Sequence, residues 1–195
     1  MDAKGVDRPL AVVAGLRPDV GRPLVRDLLD RGYEVWADRA SVPEAGLVPP
    51  GRVHRLSVDI DTEGGCEVVL DTLAAVRRPV AAVAVGLAPG SPARRRLVGT
   101  LHQFLMAWGS GRLLLASDAR DGGAWRSWRH VRAEARALRA AQRESEVARA
   151  GKDLVTVGTL LMVTGPVRTR RPGTAAARAL FAGRDRVVRA GLPGA

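Results

Sequence analysis

The sequence predicts an α/β fold, a doubly wound parallel sheet of about seven strands with helices on both faces, and three observations carry that expectation. Short apolar runs alternate with segments of helical periodicity along the whole chain. A glycine-bearing turn joins the first run to the first helix. No internal repeat and no long linker divides the 195 residues, so one domain, 1–195, is expected, with a first half over 9–90 and a second over 91–195.

The elements follow in order. PLAVVA (9–14) is an apolar run ended by Gly15, and Leu24, Val25, Leu28 and Leu29 then recur at helical spacing until Gly32 stops the helix. YEVWAD (33–38) reads as a second strand, which completes a βαβ unit and implies parallel pairing. RVHRLSVDI (52–60) reads as a strand, EGGCEVVLDTLAAV (63–76) as a helix and PVAAVAVG (79–86) as a strand. From Pro92 to Trp108 an amphipathic helix sets Leu97, Leu101, Phe104, Leu105 and Trp108 on one face. RLLLAS (112–117) is a fifth strand, and the polar connection 118–128 with Trp125 and Trp128 leads to a helix from Arg129 to Ala150. DLVTVGTLLMV (153–163), a short helix in TAAARALFAG and a last strand in DRVVRAG complete the pattern.

Composition narrows the function. The chain carries 31 Lys+Arg against 20 Asp+Glu, a formal charge of +11. Residues 1–60 hold nine basic and nine acidic side chains, 61–120 seven and five, and 121–195 fifteen and six, so the excess belongs to the last third. Arg129, Arg132, Arg136, Arg139 and Arg143, spaced three and four apart, form a band along one helix face. It reads as a solvated face, or as a surface for phosphates or an acidic carrier protein. Seven aromatic residues and no recognised motif argue against nucleic acid as partner. One cysteine, Cys66, and three dispersed histidines, His54, His102 and His130, supply no metal site. With no apolar span near 20 residues and no apolar leader in MDAKGVDRPL, a cytoplasmic protein without membrane contact is expected.

The first βαβ unit suggests a ligand. AGLRPDVG (14–21) resembles the TGxxxGxG turn of the short-chain dehydrogenase/reductase superfamily, with Gly15 and Gly21 kept, Ala14 in place of the threonine and Asp19 in place of the middle glycine. Asp38, 23 residues after Gly15, falls where such proteins hold the adenosine ribose, and Asp59 looks like their adenine-contacting aspartate. Arg17 and Arg39 stand where a 2′-phosphate would instead be received. EVARAG (146–151) before the sixth strand adds to the resemblance, which covers about residues 9–160 and implies a single-domain Rossmann-like fold. It also implies NAD(P), although Asp19 would repel a pyrophosphate at about 4 Å by roughly 1–4 kcal/mol, so no cofactor, or a weakly bound one, is expected. The family's NNAG after strand four is VAVG (83–86) here, which keeps Gly86 alone.

The departures continue in the second half. Reduction in this superfamily uses a tyrosine with a lysine four residues later, the ammonium lowering the phenol's pKa. The only tyrosine here is Tyr33, followed at that spacing by Ala37, and the only lysines are Lys4 and Lys152. By position the dyad falls on Arg129 with Ala133, or on His130 with Glu134. The family's serine corresponds to Ser117 or Asp118, and its helix asparagine falls near Arg96. Ser117, Asp118, His130 and Glu134, with Asp121 nearby, are therefore the candidate catalytic set. Trp125, Trp128 and Arg129 are the candidate substrate contacts.

The leading expectation is an atypical enzyme performing a non-redox acid–base step (cyclisation, dehydration or isomerisation) on a small, largely apolar substrate of the secondary-metabolite kind. Two alternatives stand beside it, an NAD(P)-dependent oxidoreductase with unusual donors and a non-catalytic partner subunit. The resemblance also implies a homo-oligomer, dimer or tetramer, through helices 92–108 and 129–150, and a shortened substrate lid after strand six. Leu97, Leu101 and Leu105 would serve that interface or the core.

Overall fold

Five consecutive apolar residues, Leu10–Ala14 (β1), are all fully buried, because this strand lies inside the sheet and is covered on both faces. The computed structural model describes residues 8–43, 51–76, 78–88, 91–109, 111–118, 124–144, 155–164, 172–182 and 185–190. After β1 come α1 (Pro18–Asp30), β2 (Glu34–Asp38), β3 (Val53–Leu56), α2 (Glu63–Val76), β4 (Val80–Gly86) and α3 (Pro92–Ala107). Then follow β5 (Arg112–Asp118), α4 (Ala124–Glu144), β6 (Thr156–Thr164), α5 (Pro172–Ala182) and β7 (Asp185–Ala190). The seven strands form one sheet in the order β3-β2-β1-β4-β5-β6-β7, and every pairing is parallel.

The β1 side chains divide two cores. Leu10, Val12 and Ala14 join Val69, Leu73, Leu97, Leu101, Val131 and Ala135, which puts α2, α3 and α4 on one face. Ala11 and Val13 join Leu24, Leu28, Ala176 and Leu180, which puts α1 and α5 on the other. The Leu97, Leu101 and Leu105 stripe is thus spent inside the chain, against the sheet.

Three boundaries differ from the sequence expectation, each for a local reason. Helix α1 starts at Pro18, whose ring presets a helical φ at the first position, six residues before Leu24, the first of the periodic apolar residues. Strand β3 stops at Leu56 because Asp59 Oδ1 accepts the Asp61 N–H (2.9 Å) and Thr62 Oγ1 accepts the Gly65 N–H (3.0 Å), which turns the chain into α2. Helix α4 starts at Ala124, so Trp125 and Trp128 stand on its first turns and not in a connection. Buried Ser127 and Val131, four residues apart, carry the helix onto the sheet there.

At the amino ends of the strands, Glu34 pairs with Arg78 (2.8 Å) and His54 (3.0 Å). Burial alone would raise the Glu34 carboxyl, but the bond to Arg78 and the charges of Arg78 and His54 hold it below its usual value. This cluster braces β2 and β3 at the end of the sheet opposite the candidate site.

Candidate functional site

In a doubly wound sheet, ligands sit outside the carboxyl ends of the strands where the strand order reverses. Here that point lies between β1 and β4, whose ends are Gly15 and Gly86. Gly15 has φ +68°, a conformation that favours glycine, and a Cβ on Gly86 would run into the Gly15 carbonyl. The two backbones touch, and neither residue can be anything larger without movement. Gly21 is equally constrained, since a Cβ there would overlap Ser41. Its role is to let α1 pack against the turn after β2.

Asp38 ends β2 with its carboxylate aimed into this region. Its Oδ2 accepts the Gly15 N–H (2.5 Å) and its Oδ1 accepts the Ser41 N–H (2.9 Å), so both oxygens already hold backbone. Asp19 does not stand as a bare charge in the turn, because Arg17 grips it through Nε (3.0 Å) and Nη2 (2.9 Å). The repulsion expected of Asp19 is thus offset inside the turn. Asp59 is engaged in its own turn through Oδ1, and Arg39 is exposed beyond β2.

Arg94, on the first turn of α3, reaches over the switch point. Ser91 caps that helix by accepting the Arg94 N–H (3.3 Å), and Pro92 follows as its first residue. The guanidinium donates through Nη1 to the Gly86 carbonyl (2.9 Å), and through Nη2 to Asp61 Oδ2 (2.6 Å), with Nε 2.5 Å from Asp61 Oδ1. Its Nη1 also stands 3.1 Å from where a Gly15 Cβ would lie. The Arg94 side chain is only 15% exposed. The residues therefore do not fit a dinucleotide in the usual seat, because the crevice between the ends of β1 and β4 is filled by a side chain of the chain itself.

The catalytic-type half is arranged separately. Ser117, the penultimate residue of β5, is 2% exposed, and its Oγ has no hydrogen-bond partner among the described residues. Burying an unpaired hydroxyl is costly, and Ser41 Oγ, just after β2, shares that state at the same end of the sheet. Asp118 ends β5, Asp121 lies outside the described residues, and so do the side chains of Asp118 and Trp125. On α4, His130 and Glu134 are half-buried on the same flank, but they are not joined to each other; Glu134 Oε2 lies 3.4 Å from Arg95 Nε of α3. Trp128 is half-buried beneath the Arg132 guanidinium, 5.4 Å from its ring centre, and Arg129 is exposed.

The arginine band divides. Arg129, Arg136 and Arg143 face solvent, whereas Arg132 stacks on Trp128 and Arg139 Nη2 donates to the Val157 carbonyl (2.6 Å). Tyr33 packs its ring 6.1 Å from that of Phe181 and is core, far along β2 from Asp38. Cys66 is buried with its Sγ directed at the carbonyls of Ile60 and Ala93. Arg94 and Asp61 were not legible as site residues. The Ser91-Pro92 cap was the one signal that set Arg94 on a first helical turn above the strand ends.

No protein-family model and no curated protein matches the sequence. Solved structures do match. A short-chain dehydrogenase/reductase from Serratia marcescens superposes with a TM-score of 0.58 at 16% identity, over 93% of this chain and 95% of that one. A short-chain dehydrogenase/reductase family oxidoreductase from Aeromonas hydrophila gives 0.59 at 15%, over 96% and 100%. A hydroxysteroid dehydrogenase from Escherichia coli gives 0.56 at 14%, over 94% and 95%. The fold is that of the short-chain dehydrogenases/reductases, as the glycine turn and the strand-end aspartates led one to expect.

Proposed function

We propose that this chain uses the short-chain dehydrogenase/reductase fold for a non-redox acid–base step, a cyclisation, dehydration or isomerisation of a small, largely apolar metabolite of the secondary-metabolite kind. NAD(P) is absent from that step or only weakly held. The observation that carries the reading is Ser117, a buried hydroxyl at the carboxyl end of β5 with no hydrogen-bond partner among the described residues, on a chain with no tyrosine–lysine dyad. Helix α4, which packs on β5 and β6, brings His130 as the side-chain type suited to proton transfer at neutral pH.

The chemistry balances without an oxidant or reductant. The imidazole of His130 takes a proton from a carbon beside a substrate carbonyl, and the electron pair moves onto the oxygen that the Ser117 hydroxyl donates to. The imidazolium then returns the proton to a second carbon, or to a departing hydroxyl as water leaves. Glu134, held by Arg95, sets the polarity around the imidazole, and Trp128 and Arg129 line the approach, with Asp118 and Trp125 carried over from the sequence as members of the same set. Helices α3 and α4, with Trp108 47% exposed at the end of α3, pair two copies of the chain beside the solvent-facing arginine row of α4.

Solvent exchange tests this. Small apolar ketones and β-hydroxy ketones are incubated with the protein in D2O without dinucleotide, and deuterium uptake is followed by mass spectrometry. Uptake that falls at least about tenfold in His130→Ala and in Ser117→Ala is expected, a loss of about 1.4 kcal/mol of barrier lowering or more. Undiminished exchange in both variants, or turnover that requires NADPH, would sink it.

A further inference from the structure

The Arg94–Asp61 pair crosses the one place where this architecture ordinarily receives a dinucleotide. We infer that it is an internal occupant that keeps the β1–β4 crevice closed to adenine dinucleotides, and that the chain becomes a dinucleotide binder when the arginine is removed. The inference concerns binding alone and stands without the acid–base reading above.

Four observations converge on it. The guanidinium is tied on two sides, to the Gly86 carbonyl at the end of β4 and to both oxygens of Asp61 between β3 and α2, so it spans the crevice instead of hanging over it. A planar guanidinium hydrogen-bonded to a carbonyl on one side and to a carboxylate on the other is held in one orientation. The stem is anchored as well, because the Ser91 cap and Pro92 define the first turn of α3. Beneath it a Cβ on Gly86 would run into the Gly15 carbonyl, and Ile60 Cδ1 lies 2.6 Å from where a Gly15 Cβ would be. A ligand entering here must first separate Arg94 from Asp61.

The glycine turn and the strand-end acid are in place, with the acid bound to the Gly15 and Ser41 N–H groups. Gly15 keeps its positive φ, Asp38 stays at the end of β2, and the Asp19 charge is matched by Arg17. These are the features that a phosphate-binding turn and a ribose-holding acid require. Ile60 and Arg94 both stand over Gly15, and Arg94 is the one that bridges to the Gly86 carbonyl, so shortening it removes the bridge across the switch point.

Calorimetric titration of the full chain with ADP-ribose and with NADH decides the matter, circular dichroism confirming that each variant is folded. The unaltered protein is expected to show no saturation up to about 1 mM, and Arg94→Ala to bind both probes at least about tenfold more tightly. Saturation of the unaltered protein at micromolar probe overturns the inference, and so does a folded Arg94→Ala without gain. Should Arg94→Ala fail to fold, Asp61→Asn releases the guanidinium from its partner. A gain of binding in Asp61→Asn then supports the closure, and none overturns it. Loss of proton exchange in the His130 variant is a separate readout, so the two proposals fail separately.

Discussion

At the residue scale, glycine shows how one residue type carries opposite consequences in this chain. Gly86 sits against the Gly15 carbonyl, so Gly86→Ala forces the ends of β1 and β4 apart and should cost about 1–3 kcal/mol. Gly99, on α3, has nothing within 4 Å of its Cβ position, and Gly99→Ala should stabilise by about 0.5–1 kcal/mol through helix propensity. Urea unfolding of the two variants with m-values unchanged checks the pair; equal signs would show that the β1–β4 contact is slack. The glycine pattern was legible in the sequence because each of Gly15, Gly21 and Gly86 falls at a fixed place in a known kind of turn. Its meaning was not. Gly21 proves to accommodate Ser41, and Gly86 to accommodate Gly15, which are packing duties that no spacing announces. Arg94 and Asp61 were invisible for a related reason. They lie 33 residues apart and meet only because β4 follows β1 in the sheet, so no periodicity or local motif marks the pair.

At the element scale, helix–sheet alternation made every strand and helix readable, and errors were confined to ends where a cap or a buried polar residue outweighed periodicity. Helix α4 is the instructive case. The sequence reading set its start at Arg129, after a polar connection carrying Trp125 and Trp128, yet Ser127 and Val131 show that the buried face extends a further turn back. On that same helix Gln142 Oε1 lies 3.2 Å from Nε2 of His102 on α3, in a site where both side chains are buried. Burial lowers the His102 pKa below its ordinary 6.5, and the bond to Gln142 offsets part of that. The unfolded chain therefore binds this proton more readily than the folded one. The stability due to a neutral His102 is complete above about pH 6.5 and is lost as the pH falls from there toward the folded value. Unfolding free energy measured between about pH 7.5 and 5.5 should fall more steeply for the native chain than for His102→Gln. Parallel slopes would remove His102 from the account. Gln142→Ala should in addition cost about 1–3 kcal/mol at neutral pH, by leaving a buried imidazole nitrogen unpaired.

At the scale of the whole molecule, the +11 charge is a property of one region and of a few solvent-facing side chains. Part of the arginine excess is structural, since Arg94 closes the crevice, Arg139 holds a β6 carbonyl, Arg78 holds Glu34 and Arg132 covers Trp128. Along α4 a row of solvent-facing side chains, Arg129, Arg136 and Arg143, spaced seven apart and about 10 Å from one another, is available to a partner. Such a row attracts any polyanion without reading its sequence, because phosphate contacts position a protein but carry no base information. The expected outcome is retention on heparin that drops when all three are changed to Gln, and equal affinity for two DNA duplexes of unrelated sequence. The slope of log K against log salt should shrink by about 0.9 for each arginine that met a phosphate. A triple variant that elutes at the same salt would assign the retention to the remaining arginines of the last third. A strong preference between the duplexes would mean that the chain reads bases, which neither its few aromatic residues nor its fold leads one to expect.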